Sequence, residues 1–264
     1  MALRIATWNV NSLRVRLPHL EQWLNANAID ILAIQETKLT DDLFPIAACE
    51  ALGFKASFSG QKTYNGVATL VRQPAQISDP VINIPGSSDH EKRVLAITAH
   101  NIRIINVYVP NGQSVGSEKY HYKLNWLAQL AAWVAEELKR YPRLIILGDF
   151  NIAPSDKDVH DPDRWRDQVL VSAPEREAFS KLIELGFYDG FRALQEEKVD
   201  FSWWDYRQGA FRRNWGLRID HILVSESLIG ACSACVIDRA PRGWERPSDH
   251  APVILTLEES ALTY

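Results

Sequence analysis

The chain has 264 residues, of which 46% are hydrophobic and 23% charged, with a formal net charge of −4 at pH 7. This composition is typical of a folded globular protein and excludes a disordered chain, and no apolar run reaches membrane-spanning length. The small negative charge gives no overall attraction for nucleic acid or membranes, so any polyanion site must be local.

The length suits one large α/β or β-rich domain covering residues 1–264, because no repeat and no linker rich in proline, glycine or serine divides it. The first residues lack the features of a signal peptide, which favours the cytoplasm. Cys49, Cys232 and Cys235 cannot all pair within the chain, which fits a reducing compartment. Without a partner motif for Cys232-x-x-Cys235, we interpret this pair as small buried residues near a strand.

The first predicted unit reads strand, helix, strand. The strands cover residues 3–7 and 31–34, which are short apolar runs. Between them we predict a helix with Pro18 in its first turn, where proline is favoured. The apolar residues of this helix recur at helical spacing and are Leu17, Leu20, Leu24 and Ala28.

Both strands end in polar residues. Asn9 and Asn11 follow the first strand, and Gln35 and Glu36 follow the second. Because ligands of open α/β folds collect beyond the carboxyl ends of strands, these side chains are candidates for a binding site. The alternatives are a helix cap or turn for the asparagines and, for Glu36, a loop carboxylate paired with Lys38.

The loop of residues 60–66 leads into a predicted strand over residues 67–71. Lys62 and the glycine-flanked backbone of this loop could hold a phosphate group. A hairpin turn closed by Asn65 and Gly66 explains the pattern equally well.

Residues 94–98 and 102–107 form a predicted hairpin, because two apolar runs flank a short polar turn. Tyr108 stands at the end of the second strand. Its hydroxyl could reach a substrate phosphate, and the alternative is a half-buried aromatic residue at the rim of a sheet.

Two further helices are predicted in the first half of the chain. The first is short, with Pro45 near its start and Gly53 at its end. The second covers roughly residues 117–141 and has Ser117 as its cap. Its basic and aromatic first turn, residues 119–123, could meet a nucleic acid backbone or could be a solvated turn.

Residues 144–147 are four consecutive aliphatic residues, which predict a strand buried on both faces. This strand stops at a glycine and is followed by Asp149 and Asn151, which share one side of an extended chain and are able to bind metal or phosphate. The alternative is an Asp-x-Asn turn that hydrogen-bonds its own backbone. A helix near residues 175–185 and a strand over residues 219–224 continue the α/β pattern.

The predicted strand ends together present acid, amide, phenol and imidazole groups. These are Asn9, Glu36, Tyr108, Asp149, Asn151, Asp220, Asp249 and His250. Oxygen ligands without a cysteine or histidine cluster indicate Mg²⁺ or Mn²⁺ rather than structural zinc. A metal, an acid that orients water and a histidine suit hydrolysis of a phosphate ester.

Six stretches, in the right order and spanning almost the whole chain, resemble the exonuclease III family. They are Thr7-Trp8-Asn9-Val10-Asn11, Gln35-Glu36-Thr37-Lys38, Gly60-Gln61-Lys62, Leu147-Gly148-Asp149-Phe150-Asn151, Gly216-Leu217-Arg218-Ile219-Asp220 and Pro247-Ser248-Asp249-His250-Ala251-Pro252-Val253. That family belongs to a superfamily of metal-dependent endonucleases, exonucleases and phosphatases. The resemblance implies a four-layer α/β sandwich with two packed mixed β-sheets flanked by helices, one active-site cleft, and a monomer that acts on double-stranded DNA and not on membranes.

The resemblance also implies a role for each acidic or amide residue. Glu36 would be the principal ligand of Mg²⁺, for which Mn²⁺ would substitute, with Asn9 and Asp249 near the metal. Asp149 would align and deprotonate the attacking water. Asn151 would hold this geometry and hydrogen-bond the phosphate, and both residues would lie at the metal site.

His250, oriented by Asp220, would stabilise the pentacovalent phosphate, and Tyr108 would bind the phosphate or support the leaving group. This agrees with the chemistry of the residues, because a carboxylate fixes the orientation and charge of an imidazole. Whether Asp149 takes the proton itself or only holds the water for the metal is left open.

The stretch of residues 201–218 holds six aromatic residues and four arginines against one acid, which makes a local cationic, stacking surface. We predict that Trp204 is a core residue. The resemblance implies that DNA is contacted by Trp203, Lys62, Arg207, Arg212 and Arg213.

In the family, an abasic sugar or a 3′ terminus enters a pocket beside the metal. Trp203 and Leu217 would line that pocket, since a baseless sugar favours an apolar wall. The segment of residues 161–172, with Trp165 and Leu170, lies near the place where the family tunes the pocket.

The expected activity is therefore that of a DNA repair phosphodiesterase that incises 5′ to abasic sites, removes nucleotides or blocking groups from 3′ ends, or does both. The alternative enzyme is a superfamily phosphatase acting on inositol phosphate or phospholipid head groups, which would share the core residues Asp149, Asn151, Asp249 and His250. A DNA-binding scaffold without catalysis is a third class, and the complete catalytic set disfavours it.

Overall fold

The computed structural model of the protein describes residues 2–258. In chain order, the β-strands are β1 (Ala2–Asn9), β2 (Ile31–Gln35), β3 (Phe54–Ser59), β4 (Val67–Arg72), β5 (Ser78–Ile82), β6 (Val94–Ala99), β7 (Ile102–Tyr108), β8 (Leu144–Asp149), β9 (Phe187–Asp189), β10 (Trp203–Trp204), β11 (Gly216–Leu217), β12 (Asp220–Ser225), β13 (Cys232–Ile237) and β14 (Val253–Glu258). The α-helices are α1 (Leu13–Ala26), α2 (Ile46–Ala51), α3 (Glu118–Arg140), α4 (Pro162–Trp165), α5 (Ala173–Glu184), α6 (Gly190–Leu194), α7 (Ala210–Arg213) and α8 (Glu226–Ile229). Short 3₁₀ helices cover Asp41–Leu43, Asp156–Asp158, Arg207–Gly209 and Ala240–Gly243.

Two six-stranded sheets form the centre of the fold. The first has the strand order β13-β14-β1-β2-β4-β3, and the second has the order β5-β6-β7-β8-β12-β9. Both sheets are mixed, because β1 runs parallel to β2 and β7 runs parallel to β8, while their other neighbours run antiparallel. Strands β10 and β11 form a separate antiparallel ribbon.

The two sheets lie face to face, and helices cover their outer faces. Ile5 of β1 and Ile104 of β7 belong to the apolar layer between the sheets. Helices α1 and α2 cover the first sheet through a cluster that includes Trp23, and α3 and α5 cover the second through a cluster that includes Leu127 and Phe179. The predicted four-layer α/β sandwich is confirmed.

Strand β8 is buried on both faces, as its run of aliphatic residues predicts. Ile145 and Leu147 point into the layer between the sheets, whereas Leu144 and Ile146 point towards α3 and α5. This alternation follows from the two-residue period of a strand. A strand held from both sides provides a rigid support for the residue at its end, Asp149.

A buried polar network joins the two sheets just below the strand ends. Gln35 Nε2 donates to Thr7 Oγ1 at 2.9 Å and to Asn106 Oδ1 at 2.8 Å, and Asn106 Nδ2 donates to the main-chain oxygen of Ala68 at 2.8 Å. Thr7 and Gln35 belong to the first sheet and Asn106 to the second. Buried polar groups are costly unless they are paired, so these bonds favour one alignment of the sheets.

Helix α1 differs from its predicted bounds. It begins at Leu13, so Pro18 lies in its second turn rather than its first, and it ends at Ala26, so Ala28 lies outside it. The chain turns sharply through Ser12, at a φ of 93°, and the helix therefore starts earlier than its proline suggests. Proline inside a helix removes one hydrogen bond, and the complete burial of residues such as Leu13 offsets that loss.

The loop of residues 60–66 connects two antiparallel strands, β3 and β4, as the hairpin interpretation predicts. The backbone of Asn65 and Gly66 bonds to Lys38, Thr37 and Lys92 rather than across the hairpin, so these two residues do not close it as a turn. Asn65 and Gly66 both have positive φ angles, 55° and 91°. Strand β3 was not predicted, because it is an edge strand whose sequence shows little apolar alternation. Lys62 lies exposed in the loop.

Helix α3 has its predicted bounds and cap, since Ser117 Oγ accepts the N–H of Tyr120 at 3.1 Å. Its first turn is divided: Lys119 and His121 are exposed to solvent, whereas Tyr120 and Lys123 are buried against the loops of the second sheet. Within residues 2–258, no helix is both long enough and apolar enough to cross a membrane.

Candidate active site

The predicted site residues lie at one edge of the two sheets. In the first sheet, β1 ends at Asn9 and β2 ends at Gln35, its register partner, so Glu36 emerges beside Asn9. In the second sheet, β7 ends at Tyr108 and β8 ends at Asp149, which are again register partners. The carboxyl ends of both parallel pairs therefore open into a common cleft.

Two antiparallel strands complete this cleft. Strand β12 begins at Asp220, directly opposite Asp149. Asp249 and His250 precede β14, which pairs with β1, and His250 forms a β-bridge with Trp203 of the ribbon. The amino ends of β12 and β14 thus lie in the same cleft as the carboxyl ends of the parallel strands.

A pair of carboxylates from opposite sheets occupies the centre of the cleft. One ligand atom each from Glu36, Asp149 and His250 lies within 4.8 Å of the others. Asn9 Nδ2 donates to Glu36 Oε1 and to Asp149 Oδ2, both at 2.9 Å, while Asn9 Oδ1 accepts the N–H of Asn11 at 2.9 Å. Asn9 therefore links the two carboxylates and turns its own oxygen away from them.

The donor set fits a hard divalent cation. Mg²⁺ and Mn²⁺ prefer oxygen ligands, and two carboxylates this close repel each other unless a cation or a proton lies between them. The second oxygen of Glu36 pairs with Lys38 at 2.9 Å, so the salt bridge considered as an alternative exists beside the cluster. Glu36 and Asp149 are thus the residues that could hold a metal.

A further carboxylate holds the histidine of the cleft. His250 Nδ1 lies 2.9 Å from Asp220 Oδ2, which also accepts the hydroxyl of Ser202 at 2.7 Å, and His250 Nε2 lies 3.7 Å from Asp149 Oδ2. Burial alone would lower the pKa of His250, but the negative charges of Asp220 and Asp149 outweigh it and raise that pKa. The imidazole is therefore cationic and unsuited to bind a metal.

Asp149 is a carboxylate that is hard to ionise. It is 1% exposed, and its loss of hydration raises its pKa. The His250 cation and the hydrogen bond from Asn9 oppose this rise, and the negative charges of Asp220 and Glu36 add to it. A carboxylate with a raised pKa is a good proton acceptor once it is ionised, as a general base must be.

Asn151 is both a residue of the Asp-x-Asn turn and a residue of the cleft, so both interpretations of its motif apply. Its backbone is left-handed, with a φ of 51°, and its N–H donates to Asp149 Oδ1 at 2.9 Å, which is the predicted Asp-x-Asn turn. Its side chain also lies in the cleft, where Asn151 Oδ1 accepts from Asn111 Nδ2 at 3.1 Å. Sequence reasoning missed Asn111, although its position just beyond the end of β7 was a usable signal.

Asp249 ties the cleft to the ribbon. Its two oxygens accept hydrogen bonds from Asn11 Nδ2 at 2.9 Å and from Trp203 Nε1 at 3.0 Å. Burial opposes its ionisation, but the charge of His250 and these two bonds outweigh burial and lower its pKa. Asp249 is not among the metal-capable side chains that cluster within residues 2–258.

Tyr108 faces the same cleft. Burial and the negative charges of Glu36 and Asp149 raise its pKa well above the usual value, so the phenol keeps its proton as a donor. The Arg93 guanidinium lies 4.9 Å from the centroid of the Tyr108 ring. Sequence reasoning missed Arg93, because the pairing of β6 with β7 is what brings it there.

The predicted DNA-contact residues are distributed along the surface near α7. Arg207, Arg212 and Arg213 are exposed, and Trp203 is half-buried. Arg207 forms an ion pair with the neighbouring Asp205 at 2.7 Å, which leaves its outer edge in solvent. Trp204, by contrast, is fully buried, so the prediction that it is a core residue is confirmed.

A cavity of about 320 Å³ lies beside Trp203. Its lining is aromatic and cationic and includes His160, Trp165 and Trp215. Leu217, which we expected to line a pocket, is fully buried and pairs with Trp203 across the ribbon, so it supports that ring from the neighbouring strand. Three residues of the 161–172 segment line the cavity, Arg164, Trp165 and Gln168.

Arg218 was predicted to belong to the cationic surface of residues 201–218, but it is buried. It is 1% exposed and pairs with Asp158 and Asp189, each at 2.7 Å. Its Nη1 also donates to His221 Nδ1 at 3.0 Å, and His221 Nε2 donates to the main-chain oxygen of Ile152 at 2.8 Å. This buried cluster therefore braces the chain just after Asn151.

His221 makes a testable contribution to stability. Burial, followed by the charge of Arg218, lowers its pKa from 6.5 to about 4. Between these values the unfolded chain binds a proton that the folded protein does not, so lowering the pH favours unfolding. We expect the stability advantage of wild type over His221→Gln to shrink by roughly 2 to 3 kcal/mol between pH 7 and pH 4.5.

Urea unfolding at both pH values measures this difference. His221→Gln keeps a donor and an acceptor but does not titrate, and His100→Gln, at an exposed position, serves as the control. A stability difference between wild type and His221→Gln that stays constant with pH would contradict the expectation.

Comparisons with known proteins agree with this geometry. The profile of the Endonuclease/Exonuclease/phosphatase family matches residues 6–250. Exodeoxyribonuclease III of Haemophilus influenzae is 35% identical, and the match covers 95% of this chain and 98% of that protein.

Two solved structures are also similar. The 3′ phosphatase NExo from Neisseria, bound to a product DNA hairpin, is 44% identical with a TM-score of 0.95, covering 97% of this chain and 99% of that one. An AP endonuclease from Archaeoglobus fulgidus is 37% identical with a TM-score of 0.93, and the coverage is again 97% and 99%. The family profile spans both sheets, and these similar proteins match the chain over nearly their whole length. The chain therefore belongs to the exonuclease III branch of the endonuclease/exonuclease/phosphatase family.

Proposed function

We propose that the protein is a Mg²⁺-dependent DNA repair phosphodiesterase acting on duplex DNA. It incises 5′ to abasic sites, removes nucleotides or blocking groups from 3′ ends, or does both. The observation that carries this proposal is that the Glu36–Asp149–His250 cluster lies beside a half-buried tryptophan and an exposed arginine surface. The names of the similar exodeoxyribonuclease, 3′ phosphatase and AP endonuclease support the same activity.

In this proposal Glu36 and Asp149 hold Mg²⁺, for which Mn²⁺ substitutes, with Asn9, Asn151 and Asp249 around the site. When bound, the ion supplies positive charge that offsets the negative charge of the phosphate oxygens. Asn9 keeps the two carboxylates at a fixed separation through its two hydrogen bonds.

The protein's own groups carry the proton and charge steps. Asp149 accepts a proton from the attacking water, because its raised pKa makes it a good base. The His250 cation, held by Asp220, faces the negative charge that grows on the phosphate. Tyr108 donates its hydroxyl hydrogen bond to the phosphate, and Asn151 orients the phosphate through its amide.

Duplex DNA would lie across the cationic surface. Arg207, Arg212, Arg213 and Lys62 are exposed and contact backbone phosphates, and Trp203 stacks against the nucleotide at the cleft. Leu217, which pairs with Trp203 across the ribbon, supports the Trp203 ring.

We also infer that the chain acts as one catalytic domain, as a monomer, in the cytoplasm. All three cysteines are free, which suits a reducing compartment. The Glu36–Asp149–His250 cluster is formed within one chain, which supports a monomer.

The purified protein is expected to cleave duplex DNA with an abasic site or a recessed 3′ end in Mg²⁺, and to stop when the metal is chelated. Gel assays on abasic, 3′-phosphate and undamaged recessed duplexes, side by side, measure the rates and rank the three activities. An inositol phosphate serves as the control substrate. Turnover of that compound with no cleavage of any duplex would replace the nuclease proposal with the phosphatase alternative.

A further inference from the structure

A buried ion pair lies directly behind the cleft. Lys123 of α3 and Glu175 of α5 are both fully buried and form a salt bridge. Lys123 Nζ also donates to the main-chain oxygens of Asn151, at 2.6 Å, and of Asn111, at 3.1 Å. These are the two asparagines whose side chains are hydrogen-bonded to each other in the cleft. One ammonium group therefore fixes the backbone of both.

The carboxylate end of the pair fixes a second segment. Glu175 Oε1 accepts the N–H of Leu170 at 3.0 Å, and Oε2 accepts the N–H and the hydroxyl of Ser172 at 3.2 Å and 2.5 Å. The oxygen of Leu170 in turn accepts the N–H of Ala153 at 2.7 Å, two residues after Asn151. The ion pair thereby connects the loop after β8 to the 161–172 segment, whose Trp165 lines the cavity.

Both connected segments contain backbone that needs to be held. Both Asn151 and Leu170 are in the left-handed region, with φ angles of 51° and 77°, and this region is unfavourable for leucine although asparagine adopts it readily. The chain also closes tightly around the lysine, since a Cβ added at Gly112 would lie 3.1 Å from Lys123 Cδ. Buried ion pairs add little net stability, so stability alone is a poor explanation for this one.

We propose that Lys123 and Glu175 are positioning residues for the nuclease reaction. Lys123 holds the backbone of Asn151 and Asn111, and with it the Asn151 amide that lies beside Asp149. Glu175 couples this loop to the segment beside the substrate cavity. The proposal rests on the proposed function, because one of the positioned residues, Asn151, is assigned there to the phosphate.

The test compares three variants that separate charge, hydrogen bonding and stability. Lys123→Met removes the donors to both main-chain oxygens and leaves Glu175 buried without its partner. Glu175→Gln removes the negative charge but leaves the lysine donors in place. The double variant Lys123→Met/Glu175→Gln removes both charges and lacks the lysine donors.

We expect Lys123→Met and the double variant to lose roughly 100-fold in the single-turnover rate of DNA cleavage, as misplaced reacting groups do. Their dissociation constants for uncleaved DNA should stay close to that of wild type, because the DNA surface is untouched. The double variant should have a higher Tm than Lys123→Met, since no unpaired charge is buried. Glu175→Gln should lower Tm but cost less than about tenfold in rate.

A second buried ion pair on α3 gives a matched control. Arg103 Nε lies 2.7 Å from Glu137 Oε2, with side chains 1% and 4% exposed, and Arg103 stands near the start of β7, away from the cleft. Glu137→Gln should lower Tm without changing the cleavage rate.

Two results would overturn the proposal. If the cleavage rate of the double variant recovers together with its Tm, or if Glu137→Gln reduces the rate as Lys123→Met does, the pair is only structural. Wild-type protein that cleaves no DNA would instead overturn the proposed function, and with it the reaction that the pair is proposed to serve.

Discussion

Asp149→Asn is expected to slow DNA cleavage by about 10⁴-fold, the upper range for loss of a general base, while DNA binding stays close to that of wild type. Asparagine keeps the shape of the side chain and an oxygen that accepts the bond from Asn9. It loses the negative charge and the capacity to take a proton from water. Single-turnover cleavage and fluorescence anisotropy on the same duplex measure the two quantities separately.

A second carboxylate variant separates the role of base from the role of metal ligand. Glu36→Gln should also slow cleavage, but its loss should be partly recovered by a higher Mg²⁺ concentration, because it mainly weakens metal binding. Asp149→Asn should not be recovered in this way, and Asp79→Asn, at an exposed position of β5, should behave as wild type. Full recovery of Asp149→Asn in high Mg²⁺ would reduce Asp149 to a metal ligand.

The residues that sequence reasoning found share one property: they lie at the ends of strands or next to them. The apolar run before Asp149 defines β8, and the same reasoning identifies Glu36 after β2 and Tyr108 at the end of β7. Strand ends are local features, so the pattern of apolar residues is enough to locate them. The sheet then brings these ends together, which explains why the centre of the cleft was predictable.

The residues that sequence reasoning missed are positioned by contacts between distant parts of the chain. Arg218 looked like a surface cation, yet two acids 60 and 29 residues away in the chain, Asp158 and Asp189, draw it into the interior. Lys123 looked like part of a basic first turn, yet it pairs with Glu175 across two helices. A sequence does not show whether a charged residue is paired with another residue or exposed to solvent. The burial of these charged residues could therefore not be predicted.

The fold class was also predictable from apolar patterns. Successive residues of β8 are buried alternately in the core between the sheets and in the core under α3 and α5. Both faces of this sheet must therefore be covered, as the continuous apolar run predicts. Edge strand β3 and the two-residue strands β10 and β11 escaped prediction, because short or exposed strands carry little apolar pattern. Trp203 was identified from the family resemblance, and its hydrogen bond to Asp249 depends on the ribbon.

His250→Gln is expected to slow cleavage by about 10³-fold, the range for losing one preorganised group that stabilises transition-state charge. Asp220→Asn should slow cleavage less, because the imidazole remains but loses the carboxylate that orients it and raises its pKa. The double variant should be no slower than His250→Gln, because Asp220 acts through the histidine. Rates of all four proteins on one duplex at saturating Mg²⁺ complete the cycle.

The pH dependence gives this pair an independent test. The raised pKa of His250 keeps the imidazole cationic across neutral pH in wild type, so its rate should not fall through loss of that proton between pH 6 and pH 8. Removing the charge of Asp220 lowers the pKa of His250, so the rate of Asp220→Asn should fall as the pH rises through the same range. Parallel pH profiles for the two proteins, or single losses that multiply in the double variant, would mean that Asp220 serves the reaction without the histidine.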